Sequence, residues 1–226
     1  MLIHAQKIKD LSKASLLTIF IGFLLLGGAT VLFISLADDV LEKEKFAIDR
    51  MMDDYIETLR YPVLQQIMGG ITEAGSVLFI TIASIILFLF LLVFTRMSKW
   101  YAIFFAVNML GVSLLTKVLK LFFERERPEI LAEFDGTGFS FPSGHSTGAI
   151  TFYGFLIYLL LISSLKSVWK WIINSGLVLA TFTIALSRVF LQVHYFTDVV
   201  AGLAFGLVWL LICISGLELM LWRERR

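Results

Sequence analysis

Charged residues are scarce in this chain, and cysteine is almost absent. Asp, Glu, Lys and Arg make up 16% of the 226 residues, whereas a soluble domain carries about 25%. The composition therefore argues against a soluble protein. The single cysteine, Cys213, lies in an apolar run and excludes a disulfide within the chain. The formal net charge of +1 provides no overall positive field, which argues against a nucleic-acid partner.

Long apolar segments are what the chain has instead. Hydrophobic residues make up 58% of it, and a helix needs about 20 of them in a row to cross a bilayer. Backbone polar groups in lipid must be satisfied within the segment, so the spans should be helices rather than strands. Six segments qualify by apolar length and flanking charge: roughly 16–36, 77–94, 100–123, 147–165, 169–190 and 199–221. We predict an all-α membrane protein, a six-transmembrane helix bundle that forms a single domain over residues 1–226.

The loops differ in charge, and this difference predicts the orientation. The two termini and the loops after the second and fourth spans hold ten basic and two acidic residues. The stretches 38–60 and 124–135 hold six basic and thirteen acidic residues. Since basic loops stay in the cytoplasm, both termini should be cytoplasmic. Residues 38–62 hold apolar side chains at mostly helical spacing, which predicts a short amphipathic helix on the outer surface. A linker helix with an ordinary packing face explains that pattern equally well.

Three separated pieces of the chain look like parts of a phosphate site. They are residues 120–128 (KLFFERERP), 142–145 (PSGH) and 187–198 (SRVFLQVHYFTD). Each has an ordinary explanation when taken alone: a basic interfacial anchor, a capped helix start and a polar pair on a helix. The order of the spans places all three on the outer side of the membrane. Their convergence at one face of the bundle favours a common site.

The first two motifs supply groups that can hold a phosphate. Catalysis of phosphoryl transfer depends on positioning and on stabilising charge on the equatorial oxygens. Lys120 and Arg127 are about two helical turns apart and lie on one face if the helix continues to Pro128, which would end it. Ser143 and Gly144 lie at a helix start, where free backbone N–H groups bind anions.

The histidines supply the reactive groups. His145 follows Gly144 and can protonate a leaving alkoxide. Asp198 follows His194 by four residues, so their side chains can meet if this stretch is helical. A carboxylate on one ring nitrogen fixes the tautomer and leaves the other nitrogen nucleophilic. Arg188, at the outer end of the fifth span, is a third cation, and charges in membranes are usually functional.

The pattern K-x6-RP, PSGH and SR-x5-H-x3-D is similar to the signature of the type 2 phosphatidic acid phosphatase superfamily. That superfamily includes lipid phosphate phosphatases, glucose-6-phosphatase and vanadium haloperoxidases. The match has no departures and involves Lys120, Arg127, Pro128, Pro142, Ser143, Gly144, His145, Ser187, Arg188, His194 and Asp198. The chain's size resembles the small bacterial members, the phosphatidylglycerophosphate phosphatase B type in particular.

The resemblance implies a mechanism through a phosphohistidine. His194 would attack phosphorus, Asp198 would orient it, and His145 would protonate the departing lipid hydroxyl. The equatorial oxygens would be held by Lys120, Arg127, Arg188, Ser143 and Gly144. No metal and no other cofactor is implied, because three cations supply the positive charge and the motifs lack the carboxylate cluster that hard cations need. Vanadate or tungstate should bind as phosphate mimics.

The expected substrate is a membrane lipid phosphate, taken from the bilayer at a site on the extracytoplasmic side of the cell membrane. Phosphatidylglycerophosphate, which would yield phosphatidylglycerol, is the first expectation. Undecaprenyl pyrophosphate is the second, followed by phosphatidic acid and other lipid phosphates, and a soluble sugar phosphate stays open.

Two other function classes also stay open. One is a lipid transporter or flippase, although transporters place their charged sites near the membrane midplane. The other is a non-catalytic membrane scaffold, in which Gly202 and Gly206 form a G-x-x-x-G pair that packs another helix. We expect that pair to pack within the chain, because a six-helix bundle has many internal contacts to fill.

Overall fold

A computed structural model describes residues 13–42, 46–59, 61–128, 134 and 137–225, with side chains from residue 20 onward. The long elements in these ranges are all helices, which confirms the predicted all-α class. They are α1 (Lys13–Leu41), α2 (Ala47–Thr58), α3 (Pro62–Glu73), α4 (Val77–Leu89), α5 (Trp100–Phe123), α6 (Gly144–Ile162), α7 (Ser167–Phe190) and α8 (Phe196–Glu224). A π-helical turn, Phe90–Phe94, extends α4.

Six segments of the described chain are long and apolar enough to cross a membrane, as predicted. They are Phe20–Leu41, Pro62–Phe94, Trp100–Phe123, Gly144–Ile162, Ser167–Phe190 and Phe196–Glu224. The second begins earlier than predicted, because α3 precedes α4. A turn at 74–76 separates these two helices, and Ser76 caps α4 by accepting the Phe79 N–H at 3.2 Å. Lys7, Lys9 and Arg226, which contribute to the predicted orientation, lie outside the described residues.

Helix α6 lies at the centre of the bundle and packs against α4, α5, α7 and α8, while α1 packs on the outer side of α8. Phe105, Phe152, Phe155 and Leu217 form part of the central core. Large apolar side chains also cover the outward faces of the helices, as expected where lipid is the surrounding solvent.

Close packing of α8 on α6 depends on the G-x-x-x-G pair. A Cβ added at Gly202 would lie 2.7 Å from the Ser143 carbonyl oxygen, and one at Gly206 would lie 2.4 Å from Ile150 Cγ2. The pair therefore packs within the chain, which confirms that expectation. Because Gly202 meets Ser143, this contact also holds the second turn of α8 beside the start of α6.

The predicted amphipathic helix corresponds to α2, which is shorter than the stretch 38–62. α1 takes up the first part of that stretch and continues to Leu41. α2 exposes Met51 and Tyr55 and buries Ile56 and Asp49. Ile56 packs in a cluster with Val189 of α7. The interpretation as a linker helix with an ordinary packing face therefore describes the buried side of α2, because this side contacts protein rather than the membrane surface.

Candidate active site

The predicted site residues lie together at one end of the bundle. A cavity of about 850 Å³ opens there. Five of the predicted residues line it: Lys120, Arg127, Gly144, His145 and His194. The other three are completely buried and do not line it: Ser143, Arg188 and Asp198. Residues separated by up to about 80 positions in the chain thus meet around one cavity.

His194 lies in the loop between α7 and α8, not on a helix. The expectation that a helical turn joins it to Asp198 is therefore wrong. Asp198 is instead in the first turn of α8, where it accepts the Tyr195 N–H at 2.9 Å. The two side chains still meet, with His194 Nδ1 3.5 Å from Asp198 Oδ2. The helix start, rather than helical periodicity, brings them together.

Two contacts determine which ring nitrogen of His194 carries the proton. Nε2 lies 2.9 Å from Arg127 Nη1, and a guanidinium has only donors. Nε2 therefore accepts, and the proton resides on Nδ1. Nδ1 lies 3.2 Å from Ser140 Oγ, which in turn donates to Asp198 Oδ2. Ser140, which the sequence analysis did not single out, thus connects the imidazole to the carboxylate.

Burial lowers the pKa of the His194 imidazole well below its usual value of 6.5. The positive charges of Arg127, Lys120 and Arg188 lower this pKa further. At neutral pH the ring is therefore uncharged. An uncharged imidazole with its proton on Nδ1 carries an unprotonated electron pair on Nε2, which is the form that a nucleophile requires.

Helix α5 ends five residues before Pro128, so the prediction that it continues to this proline is wrong. Its last residue is Phe123, and Glu124 adopts a left-handed conformation with φ 49°, which terminates a helix. An extended segment then carries Arg127 towards the loop at 137–140. Arg127 Nε donates to the Gly138 carbonyl at 2.9 Å, and Lys120 Nζ donates to the Phe139 carbonyl. Loop carbonyls, not a shared helix face, position these two cations.

Arg188 occupies a different place from Lys120 and Arg127. It is fully buried in the last turn of α7. Nη1 donates to Thr72 Oγ1 of α3 at 2.8 Å, and Nη2 donates to the Phe134 carbonyl. Its charge acts on His194 from behind the cavity wall, and its contacts also hold α3 over this end of the bundle.

The start of α6 is held in place by its cap. The Ser143 hydroxyl accepts the Ser146 N–H, and the Ser143 N–H donates to the Asp198 carbonyl at 3.0 Å. This arrangement leaves the first N–H groups of α6 at the cavity, where they can receive an anion. A Cβ on Gly144 would lie 3.9 Å from Lys120 Cε, an ordinary van der Waals distance, so the start of α6 lies directly beside this lysine.

A buried ionic network behind Asp198 was missed by the sequence analysis. Arg125 donates to Asp198 Oδ1 through Nη1 and to Asp49 Oδ2 of α2 through Nη2, the latter at 2.8 Å. Asp49 also accepts the Thr197 N–H at 2.9 Å. The guanidinium of Arg125 lies 4.3 Å from the centroid of the Tyr195 ring. Arg125 belongs to the basic run of the first motif, which could have drawn attention to it, whereas no sequence signal connects Asp49 to a partner 76 residues away.

Within the described part of the chain, no group of three or more His, Cys, Asp or Glu side chains is placed to hold a metal ion. Glu129, Glu133 and Asp135, three of the acidic residues in the stretch 124–135, lie outside that part.

The sequence model of the PAP2 superfamily matches residues 100–219, just over half of the chain. The chain belongs to the PAP2 superfamily. The match contains all the predicted site residues, and it confirms the resemblance to the type 2 phosphatidic acid phosphatases.

Named relatives agree with this membership. Phosphatidylglycerophosphatase B of Bacillus subtilis is 32% identical over 170 residues, which cover 74% of this chain and 82% of that protein. Undecaprenyl-diphosphatase of Sulfolobus acidocaldarius is 37% identical over 83 residues, which cover 35% of this chain and 34% of that protein. The crystal structure of a transmembrane PAP2-type phosphatidylglycerolphosphate phosphatase from Bacillus subtilis superposes with a TM-score of 0.76 at 27% identity, covering 86% of this chain and 96% of that one. With six apolar helices, this PAP2 member is a multi-pass membrane protein.

Replacing Arg125 with glutamine should destabilise the protein by about 3–5 kcal/mol, because it leaves two buried carboxylates without their counterion. Thermal unfolding in detergent measures this loss. Arg50→Gln is the matched control, since Arg50 is an exposed arginine on α2, and it should change stability by less than about 0.5 kcal/mol. Adding Asp49→Asn to Arg125→Gln should cost less than the sum of the two single changes. Equal unfolding temperatures for the Arg125 and Arg50 variants would contradict the role of this network.

Proposed function

We propose that this protein hydrolyses phosphatidylglycerophosphate to phosphatidylglycerol through a phosphohistidine intermediate. The observation that carries the proposal is an uncharged, oriented imidazole, His194, in a cavity that also holds a second histidine and two cations. Such a set can bind, attack and protonate a phosphate ester. The similarity to phosphatidylglycerophosphatase B of Bacillus subtilis supports this choice of substrate.

The shape of the cavity supports a lipid substrate. From the histidines it continues along α4 and α5, from Val77 to Leu89 on one helix and from Lys120 to Phe105 on the other. This is a length of about 18–22 Å at 1.5 Å per residue. Its wall along these helices is mainly apolar, as an acyl chain requires. A soluble sugar phosphate has no hydrocarbon chain that could contact such a wall.

In the first step, His194 Nε2 forms a bond to phosphorus and the bond from phosphorus to the lipid oxygen breaks. The phosphate oxygens accept hydrogen bonds from Arg127, from Lys120 and from the first N–H groups of α6. Because Arg127 then donates to phosphate instead of Nε2, the Nε2 electron pair becomes available for attack. The bound dianion favours the protonated form of His145. His145 then donates its proton to the departing alkoxide.

In the second step, water hydrolyses the phosphohistidine. His145 is now neutral and accepts a proton from the attacking water, while the electron pair of the broken N–P bond returns to Nε2. Asp198 stabilises the positive charge that develops on the His194 ring, acting through Ser140 and directly. Arg125 donates to Asp198 Oδ1 and so gives this carboxylate a positively charged partner.

We infer that the site faces the extracytoplasmic side. The basic loops at 95–99 and 163–166 lie at the end of the bundle opposite the cavity mouth. Ser98 there donates to Glu224 near the C-terminal end of α8, at 2.6 Å. Because basic loops remain in the cytoplasm, this arrangement supports cytoplasmic termini and an outer active site.

A polyprenyl diphosphate, such as undecaprenyl pyrophosphate, is the second candidate substrate. The similarity to an undecaprenyl-diphosphatase covers 35% of this chain, and the same chemistry cleaves a terminal phosphate from a diphosphate. An outer site would also suit a lipid carrier that is released on that side of the membrane.

A phosphate-release assay on purified protein in detergent tests the function. Wild-type protein should release phosphate from phosphatidylglycerophosphate, and vanadate should inhibit it as a mimic of the five-coordinate phosphorus. Phosphatidic acid, a polyprenyl diphosphate and glucose 6-phosphate complete the panel. EDTA should leave at least about half of the activity, since cationic side chains supply the charge that stabilises the transition state. No release from any lipid phosphate would overturn the proposal, and loss in EDTA that magnesium restores would overturn its metal-free mechanism.

A further inference from the structure

Polar side chains interrupt the apolar wall of the cavity at one level. α4 contributes Thr81 and Ser84, and α5 contributes Ser113, Thr116 and Lys117. Thr81 and Ser84 are three positions apart on α4, and on α5 Ser113 is three positions from Thr116 and four from Lys117, so Ser113 shares a face with each of them. Lys117 precedes Lys120 by three residues, about 4.5 Å along the helix axis. The polar level therefore lies just inside the site, between the reacting groups and the apolar part of the cavity.

Two members of this level have no partner. Within the described residues, Lys117 makes no side-chain hydrogen bond or ion pair, and Ser84 Oγ is buried without a hydrogen-bond partner. Lys117 lies six residues inside the end of α5, within a membrane span. Lys117 is exposed and lines the cavity, so its charge is available to an anion there, and a buried hydroxyl without a partner also calls for an explanation. A ligand with oxygen acceptors in the cavity would give Lys117 a partner.

The order of groups along α5 indicates what that ligand is. Lys120 lies at the reacting phosphate, Lys117 comes next, and Met109 and Phe105 line the apolar part. A lipid with two phosphates has the same order: the terminal phosphate that is cleaved, the phosphate that is retained, and the hydrocarbon tail. With the terminal phosphate at His194 and the tail between α4 and α5, the retained phosphate reaches the level of Lys117.

We propose that Lys117 forms a second anion subsite, which binds the phosphate that a lipid substrate keeps after hydrolysis. This inference rests on the proposed function. Its ligand is a phosphate group attached to the lipid tail, either the phosphodiester of phosphatidylglycerophosphate or the proximal phosphate of a polyprenyl diphosphate. Phosphatidic acid has no second phosphate, so the subsite selects against it.

The test compares kcat/KM of wild type, Lys117→Gln and Lys117→Arg on phosphatidylglycerophosphate, a polyprenyl diphosphate and phosphatidic acid in mixed micelles. Lys117→Gln should lower kcat/KM about 10-fold or more on the lipids with two phosphates, the size of a lost charge-assisted hydrogen bond. On phosphatidic acid the change should stay within about twofold, since no retained phosphate contacts the lysine. Lys117→Arg should keep most of the activity on all three lipids, because it keeps the charge.

Selectivity, rather than activity, decides the outcome. A loss on only one of the lipids with two phosphates supports the subsite and identifies its source of phosphate. An equal loss on all three lipids, or no loss on any, overturns the subsite while leaving the phosphatase function intact. A wild-type protein inactive on every lipid would instead refute the proposed function. Lys99→Gln is the matched control, since Lys99 is exposed at the opposite end of α5, and it should leave the selectivity unchanged.

Discussion

The His194→Ala variant should hydrolyse lipid phosphates at least about 1,000-fold more slowly than wild type, because it lacks the nucleophile of the proposed covalent mechanism. The structure gives this residue the largest expected effect. Its imidazole is 1% exposed, uncharged, and held with Nε2 towards the cations. Phosphate release from phosphatidylglycerophosphate at saturating substrate measures kcat, and thermal unfolding in detergent shows that the variant is folded.

Trapping of the covalent intermediate supplies a sharper readout. Wild-type protein quenched rapidly after mixing with labelled substrate should carry an acid-labile phosphoryl group, and His194→Ala should carry none. The matched control is His145→Ala, which removes the other histidine of the same cavity and should still be labelled by an activated aryl phosphate. Labelling of His194→Ala at the wild-type level would show that another residue is the nucleophile.

The His145→Ala variant should distinguish substrates by their leaving groups. On a lipid phosphate, whose alkoxide needs a proton, kcat should fall by about 100- to 10,000-fold, the usual contribution of a general acid. An aryl phosphate leaves without a proton, so its first step should slow by less than about tenfold. In the proposed mechanism His145 also activates water in the second step, so the aryl substrate should give a burst of one equivalent of phenol before a slow steady state. Stopped-flow absorbance measures the burst.

The comparison between the two substrates carries the conclusion about His145. A burst that slows as much as lipid hydrolysis would mean that His145 binds phosphate rather than transferring a proton. A variant with wild-type rates on both substrates would remove His145 from the mechanism. Because both substrates are measured on the same preparation, partial unfolding of the variant lowers both amplitudes and cannot imitate the predicted difference.

Much of the fold could be predicted because it depends on local properties of the sequence. The length of an apolar run determines whether it can span a bilayer, so the six spans were found within a few residues at most ends. The start of α6 at Gly144 was predictable because proline, serine and glycine are typical of helix starts. α3 was not assigned, because it is more polar than α4 and contains Gly69 and Gly70, and glycine disfavours a helix.

The candidate site was predictable in composition but not in contacts. Counting spans placed the three motifs at one end of the bundle, and the PAP2 membership agrees with them. Two local expectations were wrong for the same reason, which is that both assumed continuing helices. A left-handed Glu124 ends α5 early, and α8 begins only at Phe196, after His194. Backbone angles at such ends depend on what the loop packs against, and the local sequence does not record this.

The sequence by itself determined that the chain is a bundle of membrane helices with two histidines, a carboxylate and three cations at one end. Apolar length and helix-start chemistry act over a few residues, so a sequence shows them directly. Only the tertiary structure decided that Ser140 stands between His194 and Asp198, that Arg125 joins Asp198 to Asp49, and that Arg188 lies behind the cavity. These contacts join segments up to about 150 residues apart, and their geometry exists only once the helices have packed.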